Sequence, residues 1–156
     1  MTTSRRAAIR VESRAEAFPR IHATLTSVLP AWLPESVRHR LAICLGEAFQ
    51  NAVVHAWGHE DGWVEVRVAL DDERVVIDVV DGGSGMTDAD RRRLATAELP
   101  DLARTPLSAL PEGGYGFGIL RSVMDEIEYT SRRGRNRLRM TKRIADAAEP
   151  APLDPV

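Results

Sequence analysis

Residues 47–55 have the sequence EAFQNAVVH, and two glycine-rich motifs follow them, DGGSG at 81–85 and GGYGFG at 113–118. The first motif belongs to an apolar run with helical spacing. Its carboxylate and amide are four residues apart, so they lie on one side of that helix. The second motif places an aspartate at the end of an apolar strand, and the third opens a helix. Each motif alone is weak, but in this order they predict a single nucleotide-binding site.

Composition limits the class of protein. The chain has 156 residues and a net charge of −2, which suits one domain with its own core and gives no basic field for a nucleic-acid partner. Cys44 is the only cysteine, so an internal disulfide is excluded and a reducing, cytoplasmic location is expected. No apolar run approaches the roughly 20 residues that span a membrane, so we expect no membrane partner.

The basic residues exclude two common ways of binding ATP. Of the 21 lysine and arginine residues, only Lys142 is a lysine. A P-loop needs a lysine directly after its glycine loop, and a eukaryotic-type protein kinase needs one on an early strand. Lys142 lies late in the chain and follows no such loop. Any ATP site in this protein therefore uses another scaffold.

Hydrophobic periodicity predicts five strands and three long helices. We expect strands at 7–12, 63–70, 74–80, 126–131 and 137–144, and helices at 19–29, 35–57 and 116–126. The order of these elements is typical of an α+β fold. It predicts a two-layer α/β sandwich, in which a mostly antiparallel sheet carries its helices on one face.

Composition also separates the ends of the chain from its centre. Residues 1–5 are expected to form a flexible N-terminus, and residues 145–156, which have three prolines and no apolar pattern, a disordered tail. Residues 6–144 are expected to form one domain. Its polar segment at about 86–112 contains three prolines, and we expect a mobile segment with one short helix there.

The three motifs together resemble the ATP site of the Bergerat-fold superfamily, which includes gyrase, Hsp90, histidine kinases and MutL. The resemblance covers about residues 6–144. Within the superfamily, the chain looks most like the small anti-sigma-factor serine/threonine kinases of the RsbW and SpoIIAB type. We expect the roughly 35 residues before the helix of Glu47 to be too few for the dimerising helical hairpin of a histidine kinase. The coupling domains of gyrase, Hsp90 and MutL have no counterpart in the sequence.

The resemblance implies roles for the first motif. Glu47 would be the base that accepts the proton of an attacking hydroxyl, and the side-chain oxygen of Asn51 would bind Mg²⁺, a cation that prefers oxygen ligands. His55 would border the phosphates, or it is a helix-end histidine that bonds to the backbone. From the spacing alone, an ordinary amphipathic helix with polar surface residues accounts for the same pattern.

The resemblance also implies how adenine is recognised. Asp81 would accept a hydrogen bond from the exocyclic amine of adenine, and Gly83 and Gly85 would shape the pocket around it. Thr141, in the matching Thr-Lys segment of the last strand, would help Asp81 to hold adenine. The residues alone leave plainer interpretations open, since Asp-Gly-Gly is a frequent turn and Thr141 fits an outward-facing strand position.

The glycine-rich loop is implied to hold the phosphates of ATP or ADP. At a helix N-terminus, unpaired N–H groups and the helix dipole attract anions without any lysine. The residues concerned are Gly114, Tyr115, Gly116, Phe117 and Gly118. Some relatives have a basic residue just before this loop, whereas this chain has Glu112. Arg104, or an arginine from a partner protein, is then expected to contact the γ-phosphate.

The function that the resemblance implies is partner switching. Kinases of this type bind and inhibit a sigma factor, phosphorylate a serine of a STAS-domain anti-anti-sigma protein, and are usually homodimers. Two alternatives stay open: a binding module that holds ATP with little transfer, and a switch kinase that controls a phosphatase. The presence of Glu47 favours transfer. A nucleic-acid-binding domain is disfavoured by the charge balance.

Overall fold

The computed structural model describes residues 4–56, 61–100, 104, 106, 108 and 115–145. Within them the chain forms five strands and four α-helices. In chain order these are β1 (Arg5–Glu12), α1 (Phe18–Val28), α2 (Glu35–Asn51), β2 (Trp63–Leu70), β3 (Arg74–Asp81), α3 (Asp88–Thr96), α4 (Gly116–Val123), β4 (Glu126–Arg132) and β5 (Arg135–Arg143). This arrangement confirms the predicted α+β fold class.

One antiparallel sheet joins all five strands in the order β1-β2-β3-β5-β4. The helices α1, α2 and α4 contribute Ile21, Leu45 and Leu120 to the same core as Ile77 of β3. β3 lies at the centre of the sheet and is buried along most of its length. Its last residue, Asp81, is therefore fixed by neighbouring strands on both sides.

α2 is the helix that carries the first motif. Its apolar stripe is buried against the sheet and consists of Leu41, Cys44, Leu45, Ala48 and Phe49, the spacing of a core-facing helix. The α-helix ends at Asn51, and one π-helical turn follows at Ala52–Ala56. The predicted helix over 35–57 is thus present as an α-helix to Asn51 and a π-helical turn to Ala56, and residue 57 lies outside the described residues. At the junction, the Ala52 N–H is shared between the carbonyls of Ala48 and Phe49, a bifurcated bond of the kind common at the end of an α-helix.

The polar segment contains one short helix, as predicted. α3 begins with a capping box, in which the Thr87 hydroxyl accepts the Asp90 N–H (3.1 Å) and the Asp90 carboxylate accepts the Thr87 N–H (3.0 Å). A capping box satisfies two backbone donors at a helix start, so α3 has a well-defined beginning. Much of the segment after residue 100 lies outside the described residues, and its mobility stays a prediction.

Both ends of the domain extend further than predicted. β1 begins at Arg5, which pairs with Leu70, so this residue belongs to the sheet and not to a flexible N-terminus. At the other end, the Ala145 N–H donates a long hydrogen bond to the Glu73 carbonyl (3.4 Å), so Ala145 is attached to the fold. The rest of the predicted disordered tail, residues 146–156, lies outside the described residues.

α4 is shorter than predicted. It ends at Val123 instead of continuing to residue 126. The cause is the start of the next strand, because the Asp125 N–H already donates to the Thr141 carbonyl at 2.9 Å. The backbone cannot make this sheet-type bond and remain helical.

Ion pairs lie on the face of the sheet opposite the core. Arg139 donates two hydrogen bonds of 2.8 Å to Asp78, and Glu65 accepts bonds from Arg10 and Arg67. Arg139 is thus engaged by a carboxylate of the sheet itself. On β5, Lys142 is paired with Asp125 at 3.7 Å.

Cys44 provides a test of how α2 packs. Burial raises the pKa of its thiol from 9.0 to about 12, and the charge of Glu47 adds to the effect. Because the thiolate is the reactive form, we expect iodoacetamide at pH 8 to modify native Cys44 about a thousandfold more slowly than the unfolded chain. Mass spectrometry in buffer and in denaturant measures both rates.

The same shift has a consequence for stability. The folded-state pKa is the higher one, so the thiol stabilises the fold below pH 9 and this contribution is lost as the pH rises from 9 towards 12. Rapid modification of Cys44 in the native protein would contradict the packing described here.

Candidate functional site

Two cavities lie where α2, α3 and α4 meet the end of β3. The inner cavity holds about 40 Å³ and is mostly apolar, with Asp81 and Gly85 among its lining residues. The outer cavity holds about 710 Å³ and is lined in part by Glu47 and Gly116. Asn51, Arg93 and Phe117 line both cavities. The three sequence motifs therefore converge on one region.

Asp81 is a buried polar group of the inner cavity and is only 7% exposed. Its Oδ1 accepts hydrogen bonds from the Gly83 N–H (2.9 Å) and from Asn136 Nδ2 (2.8 Å). Among the described residues, both of its hydrogen bonds fall on this one oxygen. Oδ2 is thus left to accept a hydrogen bond from a ligand, which a buried carboxylate needs.

Asn136 is a site residue that the sequence analysis missed. In the register of β3 and β5, Asn136 is opposite Asp81, whereas Thr141 is opposite Val76. Side chains alternate between the two faces of a strand, so Thr141 lies on the face away from Asp81 and nearer the other end of β3. The prediction that Thr141 helps Asp81 was wrong. No signal along β5 identifies Asn136, because the pairing of β3 with β5 that sets it opposite Asp81 is a tertiary contact.

The turn after β3 is held by contacts that require a glycine. Gly85 has a φ of 79°, and a Cβ atom there would lie 2.9 Å from the Asn136 Oδ1 and 3.1 Å from the Tyr129 hydroxyl. Gly83 does not line the inner cavity but its carbonyl accepts a bond from Asn136 Nδ2 (3.0 Å). Both predicted glycines therefore shape the turn, Gly85 by its conformation and Gly83 by its hydrogen bonds.

Tyr129 is a second residue that the sequence analysis missed. Its hydroxyl accepts the Met86 N–H at 2.8 Å, and its ring lines the inner cavity. Burial raises the pKa of Tyr129 above its usual value, so the hydroxyl stays protonated at neutral pH. No sequence motif distinguishes this tyrosine, because it is brought to the site by strand pairing alone.

Glu47 and Asn51 lie one helical turn apart on α2, as predicted. Asn51 Nδ2 is buried and has no hydrogen-bond partner among the described residues. An unpaired buried polar group costs roughly 1–3 kcal/mol, so this amide is suited to a ligand that enters between the two cavities. Glu47 lines only the outer cavity. His55 lies in the π-helical turn after Asn51, and its side chain is outside the described part of the chain.

The glycines of the third motif have different roles. A Cβ atom on Gly116, the first residue of α4, would lie 2.7 Å from the Glu47 carboxylate, so a larger residue there would require the Glu47 side chain to move. Gly118 is buried, and its Cβ would lie 3.1 Å from the backbone of Glu98. Gly118 therefore serves the packing of α4 and not the cavity. Gly114 lies outside the described residues.

Tyr115 and Phe117 both border the outer cavity. Tyr115 precedes α4, and Phe117 also lines the inner cavity. The guanidinium of Arg93 lies 5.6 Å from the centre of the Phe117 ring. The sequence does not distinguish Arg93 from the neighbouring arginines of α3, and Arg104, one of the two predicted sources of charge, does not line either cavity.

The inner cavity is small. Its volume of about 40 Å³ has space for only a few water molecules. A flat ligand would have to displace a side chain. The large apolar side chains of the lining include Met86 and Phe117. Methionine adapts its shape at low cost, so the polar groups of the cavity suit such a ligand provided that Met86 moves.

Two searches of the described residues gave negative results. No group of three or more histidine, cysteine, aspartate or glutamate side chains there is arranged to hold a metal ion. In the same part of the chain, no helix is long and apolar enough to cross a membrane. The side-chain oxygen of Asn51, one helical turn from the Glu47 carboxylate, is a ligand of the kind that Mg²⁺ prefers.

Comparison with known proteins gives consistent matches. Residues 11–142 match the family described as the histidine kinase-like ATPase domain. An anti-sigma F factor of Clostridium acetobutylicum is 30% identical over 86% of this chain and 89% of its own length. Those of Pasteuria penetrans (34% identical, 78% of this chain, 77% of its own) and Caldanaerobacter subterraneus subsp. tengcongensis (29%, 85% and 88%) are similar.

Asn136 and Thr141 form a matched pair for a test of the inner cavity. Replacing Asn136 with Ala removes the bond that orients Asp81, and we expect adenine-nucleotide affinity to fall about tenfold, the cost of one buried hydrogen bond. Thr141→Val removes only a hydroxyl on the other face of the sheet and should leave the affinity unchanged. Isothermal titration calorimetry of both variants, with thermal unfolding as a check on folding, distinguishes the two positions. Equal losses would contradict the assignment.

Proposed function

This chain belongs to the histidine kinase-like ATPase family, and we propose that it is an ATP-dependent anti-sigma factor that phosphorylates a serine of a STAS-type anti-anti-sigma protein. The observation that carries the proposal is the meeting of Glu47 and Asn51 of α2 with the first turn of α4 at one cavity. Phosphoryl transfer needs a group that orients and deprotonates the attacking hydroxyl and groups that hold the phosphates. Here a carboxylate, an amide and a helix N-terminus would supply them without a lysine.

Adenine recognition is assigned to Asp81. Its Oδ2, which accepts no hydrogen bond among the described residues, is suited to accept one from the exocyclic amine of adenine. Guanine has no amine at that position. Asn136 and the Gly83 N–H hold the other oxygen. The carboxylate is thereby oriented before the base arrives, which lowers the entropic cost of binding.

The phosphates are assigned to the outer cavity. Backbone N–H groups at the start of α4 would bind phosphate oxygens, and Asn51 would hold a Mg²⁺ ion together with those oxygens. Bound Mg²⁺ would neutralise charge that develops on the transferring phosphoryl group. The buried Asn51 Nδ2, which has no partner among the described residues, is a donor, so it favours an acceptor such as a phosphate oxygen beside the amide, while the Mg²⁺ ligand would be Oδ1.

Glu47 is assigned as the base. In the proposed step, the serine oxygen forms a bond to the γ-phosphorus, the bond from that phosphorus to the bridging oxygen of ADP breaks, and the serine proton passes to Glu47. The products are phosphoserine and ADP. Glu47 lines the outer cavity next to Gly116, which is where a hydroxyl facing the phosphates would arrive.

The partners follow from the relatives. Proteins named anti-sigma F factor resemble this chain over most of its length, which supports a sigma factor as the inhibited partner. The STAS-type substrate, the homodimer and the cytoplasmic location belong to the same proposal. A module that only binds ATP would have no need of a carboxylate at the position of Glu47, so transfer is the preferred function.

Nucleotide choice tests the role of Asp81. We expect the protein to bind ATP and ADP but to discriminate against GTP, because a site built around one hydrogen bond rejects ligands that leave it unpaired. Asp81→Asn should weaken ATP binding by at least about tenfold. Calorimetry with the three nucleotides measures this. Equal ATP and GTP affinities in the parent protein would refute the assignment.

Glu47 separates a kinase from a binding module. Glu47→Gln keeps the shape of the side chain but removes the base, so we expect serine phosphorylation to fall at least about a hundredfold while ATP and sigma-factor binding persist. Glu35→Gln, an exposed position at the start of the same helix, is the matched control. The assay follows ³²P from γ-labelled ATP to a STAS-type partner. Transfer near the parent rate in the Glu47 variant would exclude this base, and no transfer by the parent would favour the binding module.

A further inference from the structure

We propose that Arg93 is the cation that binds the terminal phosphates of the nucleotide, and that it exchanges its present partner, Asp90, for them. The inference rests on the proposed binding of ATP at the two cavities. It names the residue that supplies positive charge to the γ-phosphate, which the sequence alone did not identify.

The charges around the outer cavity lead to this assignment. Among its described lining residues, Glu47 and Arg93 are the charged ones. A triphosphate is strongly anionic and needs a positive group close by. Arg104 does not line the cavity, and Lys142 lies on β5 in a pair with Asp125. Arg93 also lines the inner cavity, so it lies where the two parts of a nucleotide would join.

Two neighbouring groups hold the Arg93 side chain in place. Its Nη2 donates to Asp90 Oδ1 at 3.0 Å, and Asp90 is itself fixed by the capping box with Thr87. On the other side, the Phe117 ring lies within cation–π distance of the guanidinium. The group is thus held between the start of α3 and the start of α4.

Contacts between the segment just after α3 and α4 keep Arg93 in this position. Arg121 of α4 donates to the Ala97 carbonyl at 3.0 Å, directly after α3. Gly118 packs closely against the Glu98 backbone, since a Cβ atom there would lie 3.1 Å from it. Because the end of α3 is attached to α4, Arg93 cannot move far from the α4 N-terminus, where the phosphates are proposed to bind.

The bond to Asp90 can be exchanged. The Arg93 side chain is 61% exposed in this pair, and exposed ion pairs contribute little to stability. Among the described contacts the pair with Asp90 has one hydrogen bond, whereas an arginine can bind a phosphate through two parallel ones. A nucleotide phosphate therefore competes successfully with Asp90 for the guanidinium, and α3 need not unfold.

The test compares ligands that differ in phosphate number. Arg93→Gln is titrated by calorimetry with adenosine, ADP and ATP in the presence of Mg²⁺. Arg92→Gln is the matched control, since Arg92 is exposed on the same helix and lines neither cavity. We expect ATP affinity to fall about tenfold or more in the Arg93 variant, adenosine affinity to be unchanged, and Arg93→Lys to recover part of the loss.

The outcomes distinguish this inference from the proposed function. If Arg93→Gln weakens ATP and adenosine equally, Arg93 supports the fold of the site and does not bind phosphate, and the inference is wrong. It is also wrong if ATP affinity does not change. If the parent protein itself binds no ATP, the proposed function fails, and the inference that rests on it fails as well.

Discussion

The hydrogen bond between Asn136 and Asp81 joins the sheet to the site. It depends on the antiparallel register of β3 and β5, which sets the two residues opposite each other at one end of the sheet. Asn136 also binds the Gly83 carbonyl, so the turn after β3 is fixed by the same side chain. The position of the carboxylate is thus decided by strand pairing, and α2 and α4 are arranged around a group that the sheet has already placed.

Close approach of backbone is the second constraint. α4 contacts Glu47 at Gly116 and the backbone of Glu98 at Gly118, and a Cβ atom at either position would require its neighbour to shift. A glycine-rich sequence is usually associated with a flexible loop or with phosphate binding. Here the two described glycines that begin α4 allow it to pack against a helix on one side and an extended segment on the other.

Sequence reasoning predicted the parts of the site that are local in sequence. The spacing of Glu47 and Asn51 lies within one helix, and the glycine that opens α4 lies within another, so the sequence alone predicts both. The structure brings these residues together. Asn136, Tyr129 and Arg93 were missed because each reaches the site through tertiary pairing. The error at Thr141 has the same origin, since strand register cannot be derived from one strand alone. The π-helical turn was missed because a helical apolar pattern does not distinguish the two kinds of helix.

The single lysine affects how this protein can be modified. Guanidinium groups stay charged at any physiological pH and are not substrates for lysine acetylation. The positive charges at the nucleotide cavities and on the outer face of the sheet, carried by residues such as Arg93 and Arg139, are therefore permanent. Amine-directed chemistry within the described chain has one side-chain target, Lys142, which pairs with Val75 at the opposite end of β3 from Asp81. A fluorophore attached there would report on the protein without entering the cavities.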